Sequence, residues 1–138
     1  MVSIFNKTKA ALPKFSWGSI AEEILGKKFE LNLVMVGEGK MTKLKAVYPP
    51  LHYSRGQAQD GKPTNVLSFL INENVGEIFI CPQVARKEAK NFSRSTAEHF
   101  LALYIHGVLH LAGLDHNNAR AAVKMAAVEE KILKKFSL

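Results

Sequence analysis

A chain of 138 residues with 47% hydrophobic and 22% charged side chains has the makeup of one globular domain over residues 1–138, able to bury roughly two thirds of its extended surface in a single core. Its one cysteine excludes an intrachain disulfide and makes a reducing compartment the simpler expectation. Nineteen basic against twelve acidic side chains give a net charge of +7, which suits a polyanionic partner but equally a surface kept basic for solubility.

In chain order, `SIFN` alternates apolar and polar residues and opens a strand. The early charges of `MVSIFNKTKAALPKFSW` have no long apolar run behind them, so no signal peptide is expected. Ser16 is placed to cap a helix across `WGSIAEEILGKK`, with Trp17, Ile20, Ile24 and Leu25 on one side. `FELNLVMV` alternates Phe29, Leu31, Leu33 and Met35 toward one face, and `GEG` reads as its turn. `KMTKLKAVY` then reads as a short basic helix that `PP` ends, and `LHYSRGQAQDGK` as a loop. `TNVLSFLI` and `GEIFIC` are two further strands joined through `NENV` as a hairpin.

Beyond Pro82 the apolar period lengthens from two to about 3.6. `PQVARKEAKNF` is a first helix. `SRSTAEHFLALYIHGVLHLA` is a longer one, entered through Ser95 with Glu98 three residues on as a capping box. `NNARAAVKMAAVEEKILKKF` is the last, with an apolar stripe expected through Ala119, Ala122, Val123, Ala126, Ile132 and Leu133. The result is an α+β fold: a small mixed sheet of about four strands packed with helices. No apolar run reaches the roughly 18 to 20 residues of a bilayer span, so no membrane partner is expected and the location is read as cytoplasmic.

The stretch `HGVLHLAGLDH` carries three of the five histidines. His106 and His110 are one helical turn apart, with β-carbons about 5 to 6 Å from each other, so two imidazoles can reach one ion. Gly113 can stop the helix in a positive-φ turn, and the reversal can return His116 toward the pair. Three neutral nitrogens with a vacant fourth position are what a catalytic zinc ion requires, one per chain. Asp115 is a candidate to accept the second N–H of a histidine ring. The plainer alternative makes the three histidines ordinary helix and surface residues. In `HExxH` the residue after the first histidine is the general base, but here it is Gly107, which disfavours an ordinary peptidase. His99 and His52 fall outside the arrangement as core-edge or surface residues, and Cys81 reads as a buried structural thiol. Phe100, Leu103 and Tyr104 read as core contacts that fix the histidine-bearing helix. Thr64 and Ser68 bracket a strand, either near a cleft or on a strand surface.

`HGVLHLAGLDH` resembles the signature `HGxLHLxGYDH` of the YbeY family, with Leu114 where tyrosine is usual. `SRGQAQDGKPTNVLSF` is similar to the family stretch in which an arginine precedes `PTDVLSF`, and `GEIFIC` to `GDIxI`. Met125 and Glu129 fit its spaced methionine and glutamate, so the resemblance covers roughly residues 20 to 135. It implies a zincin-like fold and a metal-dependent, single-strand-directed endoribonuclease of ribosomal RNA maturation or ribosome quality control. His106, His110 and His116 would be the metal ligands and Arg55 a functional residue across the cleft. RNA, ribosomal RNA and ribosome components would be the partners, with no DNA expected. Asn65 and Glu77 stand where the family mostly has aspartate.

Three neutral ligands leave the ion its full charge, which suits a phosphodiester better than an amide. Such an ion polarises a phosphoryl oxygen and lowers the pKa of water from 15.7 toward about 7, while Arg55 offers a fork of donors for developing charge. The proton acceptor is open among hydroxide at the ion, Asp115, and internal attack by the RNA 2′-hydroxyl. Lys40, Lys43, Lys45 and Lys62 are candidates for backbone phosphates, although a solvated helix face explains the first three as well. A metallohydrolase of another substrate, and a non-catalytic RNA- or ribosome-binding protein stabilised by its metal, are the alternatives.

Overall fold

The computed structural model describes residues 1–47, 64–115 and 118–137. In chain order they form β1 (Val2–Asn6), α1 (Trp17–Leu25), β2 (Glu30–Met35), α2 (Glu38–Val47), β3 (Val66–Asn72), β4 (Val75–Ile80), α3 (Pro82–Ala89), a 3-10 turn (Lys90–Phe92), α4 (Thr96–Leu111) and α5 (Ala119–Phe136). The strands lie in the order β1-β2-β4-β3. β2 runs parallel to both β1 and β4, and β3 is antiparallel to β4. The α+β fold with a mixed sheet of four strands is therefore the one the chain adopts. The loop expected over residues 51–62 lies outside the described residues.

Alternation along the strands sorts their side chains onto two faces. Leu33 sits in register between Ile4 and Ile78, and with Leu31, Met35, Ile80 and Val66 it packs under α1 and α4 in the main core. On the other face Leu67, Val34, Phe69 and Phe79 meet Met41 and Leu44 of α2. The sheet thus separates the basic helix from the histidine-bearing one. The hairpin is tighter than `NENV` suggests, because Asn72 Oδ1 accepts from Asn74 N at 2.9 Å and closes the turn with two residues.

α1 is fastened to α4 through aromatic edges. The Trp17 ring meets Phe100 at 5.8 Å and Tyr104 at 4.9 Å, both edge-on. Tyr104, wholly buried, donates from its hydroxyl to Trp17 O at 2.8 Å. These contacts lie within about two turns of His106, so they fix that part of the helix against translation and rotation.

Two elements depart from expectation. `GEG` is not a turn: α2 begins at Glu38, whose backbone N–H donates to Gln83 Oε1 at 3.3 Å, and burial of Met41 and Leu44 outweighs the one glycine inside the helix, Gly39. In α5 the buried residues are Met125 and Ile132, while Val123 is 72% exposed. Small alanines fit either side of that helix, and the large Met125 sets its rotation.

Candidate metal centre

α4 starts as its sequence dictates. Ser95 accepts from the Glu98 backbone N–H at 3.1 Å, satisfying one of the orphan donors of the first turn. Phe100, Leu101, Tyr104, Ile105 and Val108 are buried and hold the helix against the sheet. Where it crosses the sheet the residue is Gly107: Ser68, fully buried, donates to Gly107 O at 3.0 Å. A β-carbon at 107 would lie 3.0 Å from Ser68 Oγ and 3.2 Å from Ile78 Cδ1. The position that carries the glutamate base in `HExxH` is therefore a packing position here.

One turn apart on that fixed helix, the His106 and His110 rings meet edge to face with centroids 4.5 Å apart. Their Nε2 atoms converge to 2.9 Å. Two nitrogens on one tetrahedral zinc, each about 2.0–2.1 Å from it, sit roughly 3.3 Å apart, so a small opening of the pair accommodates the ion. His110 is buried and the His106 side chain is 24% exposed, leaving access from one side.

The orientation of His106 comes from a residue not assigned a role from the sequence. Glu129, on α5, contacts His106 Nδ1. An ionised carboxylate can only accept, so the proton belongs on Nδ1 and the Nε2 lone pair faces His110. Asp115 is exposed beyond the end of α4. Only the family resemblance marks Glu129 in the sequence, without a role: it is 23 residues from His106 and belongs to no local period.

The helix stop is a paired one. Gly113 N donates to His110 O at 3.0 Å and Leu114 N to Leu109 O at 3.0 Å, with Gly113 at φ +96°. These are the two bonds of a Schellman motif, which needs the left-handed residue glycine tolerates. The third expected ligand, His116, lies two residues beyond Leu114 and outside the described residues, as do Arg55 and Lys62. Among the described residues no three His, Cys, Asp or Glu side chains converge to hold an ion; two of the expected donors do.

The basic candidates of α2 are not brought to the pair. α2 lies on the other face of the sheet, where Lys40 and Lys43 are exposed and Lys45 is buried at 4%. Lys45 is thus corrected from a surface phosphate contact to a buried side chain. Glu77 is on that same far face, beside Lys40, Phe69 and Phe79. Asn65, in contrast, lies on the histidine side and donates from Nδ2 to Glu88 Oε1 at 3.0 Å. His99 is buried, and its Nε2 lies 3.1 Å from the same Glu88 oxygen. Cys81 is fully buried, and desolvation pushes its thiol pKa up.

The family profile described as Endoribonuclease YbeY matches residues 3–137. The Endoribonuclease YbeY of Buchnera aphidicola subsp. Acyrthosiphon pisum is 32% identical over 122 residues, 81% of this chain and 73% of that protein. That of Thermotoga petrophila is 36% identical over 100 residues, 69% of this chain and 61% of the relative. The solution structure of TM1509 from Thermotoga maritima superposes with a TM-score of 0.63 at 29% identity, covering 97% of this chain and 87% of the other. Among the described residues no helix is long and apolar enough to cross a membrane. With the profile spanning nearly the whole sequence and the histidine signature set on the helix that the fold buries against its sheet, the chain belongs to the YbeY family of endoribonucleases.

Proposed function

We propose that the protein is a metal-dependent endoribonuclease of single-stranded RNA that acts in ribosomal RNA maturation, with one zinc ion held by His106, His110 and His116. The observation that carries this reading is the convergence of two Nε2 atoms to 2.9 Å with Glu129 fixing the His106 ring. When bound, the ion supplies Lewis-acid chemistry: it withdraws charge from a phosphoryl oxygen and yields hydroxide from water near neutral pH. Neutral imidazoles leave its charge uncompensated, which favours an anionic substrate.

The chain's own residues do the rest. Glu129 keeps the proton of His106 on Nδ1, so that the ring serves as a donor of electrons and not as an acid. Arg55 receives a non-bridging oxygen and the charge that develops on it. Gly107, pressed on Ser68 and Ile78, leaves no room for a glutamate base, which weighs against a zincin-type peptidase. The net charge of +7 favours RNA and ribosomal partners, with Lys62 as a phosphate contact near Arg55 and Lys40 and Lys43 as a remote basic face. The cytoplasm is the corresponding location.

The test is cleavage of a single-stranded ribosomal RNA fragment by the zinc-loaded protein, the chelated protein, His110→Ala and Arg55→Ala. Cutting by the first and loss in the other three is expected. Equal cutting by chelated and loaded protein would contradict metal dependence. A 2′-deoxy substitution at the cleavage position then separates the two nucleophiles: loss of cutting there assigns the attack to the 2′-hydroxyl, and undiminished cutting assigns it to water.

A further inference from the structure

The three parallel strands end together: Asn6, Met35 and Ile80 are in register at the carboxyl ends of β1, β2 and β4. Beyond that edge the chain parts. From β1 it passes to α1 on the face of the main core, and from β2 to α2 on the opposite face. Neighbouring strands whose connections leave to opposite faces open a crevice outside their carboxyl ends, the place where ligands bind in open sheets. Here it is a cleft of about 410 Å³, and Lys7, Lys9, Gly37, Gln83 and Arg86 are on its walls.

The loop that carries the two lysines is fixed from within. Lys7 N donates to Met35 O at 2.9 Å, Asn6 Oδ1 accepts from Thr8 N at 2.9 Å, and Asn6 Nδ2 donates to Ala10 O at 2.7 Å. Lys7, Lys9 and Arg86 are exposed, and none of the three forms an ion pair among the described residues. Gln83 Oε1 takes the Glu38 backbone N–H, which leaves the amide N–H groups of Gln83 as unused donors among the described residues. Among those residues no carboxylate lines the cleft. The nearby Glu38 carboxylate lies instead 3.6 Å from Lys87 Nζ.

A cleft lined by charges of one sign focuses their field and concentrates the opposite ion. Lysine meets phosphate oxygens as a point charge and arginine as a fork of donors. The relation to the histidine pair runs through α3, since Arg86 lines the basic cleft and Glu88 the cleft beside His106. Residues two apart on a helix point about 200° from each other, so the two clefts flank α3, separated by about the 10–12 Å diameter of a helix. At the histidine pair an RNA strand meets the carboxylates of Glu88 and Glu129. Beyond α3 its further phosphates find cations.

We propose that the cleft at the carboxyl ends of β1, β2 and β4 is a second, non-cleaving RNA subsite, in which Lys7, Lys9 and Arg86 bind backbone phosphates of the strand whose scissile bond lies at the histidine pair. The proposal rests on the endoribonuclease reading above and adds a length requirement to it, because RNA must cross α3 to occupy both clefts.

The test measures binding of single-stranded RNAs of about 4 and about 16 nucleotides by fluorescence anisotropy over a range of salt concentrations. The proteins are the wild type, Lys7→Ala/Lys9→Ala/Arg86→Ala, and a charge-matched Lys27→Ala/Lys28→Ala/Lys131→Ala, whose exposed lysines line neither cleft. Each phosphate contact to a single strand contributes about 0.7 to the slope of log affinity against log salt, so loss of three should flatten the slope for the long RNA by about 2. The short RNA should show little of that change, and the charge-matched variant should keep the wild-type slope. Cutting of the long RNA by the zinc-loaded wild type is followed in parallel. A long-RNA slope unchanged in the first variant, or flattened equally in the charge-matched one, would overturn the subsite, while wild-type cutting would still uphold the endoribonuclease reading. An equal flattening with the short RNA would overturn the track across α3. Failure of the wild type to bind or cut RNA would overturn both readings.

Discussion

Replacement of Glu129 by alanine isolates the step that prepares His106 for an ion. The variant removes the carboxylate from Nδ1 and leaves the α4 helix, the His110 ring and the sheet contacts of Gly107 in place. Carboxylates that orient a ligating imidazole typically contribute 10- to 100-fold to metal affinity, or about 1.4–2.7 kcal/mol. The zinc dissociation constant of Glu129→Ala should therefore rise by about that factor, with Glu129→Gln between, because an amide oxygen still accepts but without charge. By linkage, zinc in excess should stabilise the alanine variant less by the same amount. The metal-free melting temperature should hardly move, since Glu129 is only partly buried. Competition against a chromophoric chelator and paired melts with and without zinc give both numbers. Glu130→Ala is the control, an exposed neighbour whose 3.8 Å contact with Lys134 is a solvated helix pair. Wild-type zinc affinity in Glu129→Ala would refute the reasoning.

Other expectations follow from the packing. Gly107→Glu forces a carboxylate between Ser68 and Ile78 and should destabilise by about 3 kcal/mol or more in a denaturant titration, with no gain of peptidase activity; an undisturbed midpoint would contradict the close approach. Gly113→Ala places a β-carbon at φ +96° and should cost about 1–2 kcal/mol, read from the same titration, with Gly113→Asn milder. Cys81 is buried and its thiol pKa is raised by desolvation, so thiolate is scarcer at neutral pH. Ellman's reagent should label it slowly in the native protein and at once in denaturant; rapid native labelling would place it elsewhere.

What the sequence reveals of this fold depends on the range of the signal. Strand alternation in `FELNLVMV` is local, and Leu31, Leu33 and Met35 are the residues buried. The Ser95 N-cap, the histidine pair and the glycine stop are equally local, and each has the geometry expected; of the capping box only the Ser95 half forms, with Ser95 Oγ donating to Glu98 Oε1 at 3.3 Å in place of the reciprocal backbone bond. Partners brought in by tertiary packing are harder to read. Glu129 reaches His106 only because α5 lies against α4, and its helix presents Met125 inward where the alanines and Val123 offered another stripe. His99 is a lone histidine by spacing, yet Glu88 and Asn65 arrive from α3 and the start of β3 to enclose it. The basic residues of α2 look close to the site along the chain, but the alternation of side chains across the sheet puts them on its far face.

The central claim is that His106 and His110 hold a metal ion, and metal content per chain tests it most directly. Mass spectrometry on untagged protein purified without chelators should find about one zinc per wild-type chain and a sharp loss in His110→Ala, whose circular dichroism should stay native. Equal metal in the two proteins, or none in the wild type after zinc is supplied, would contradict the histidine centre and with it the proposed chemistry.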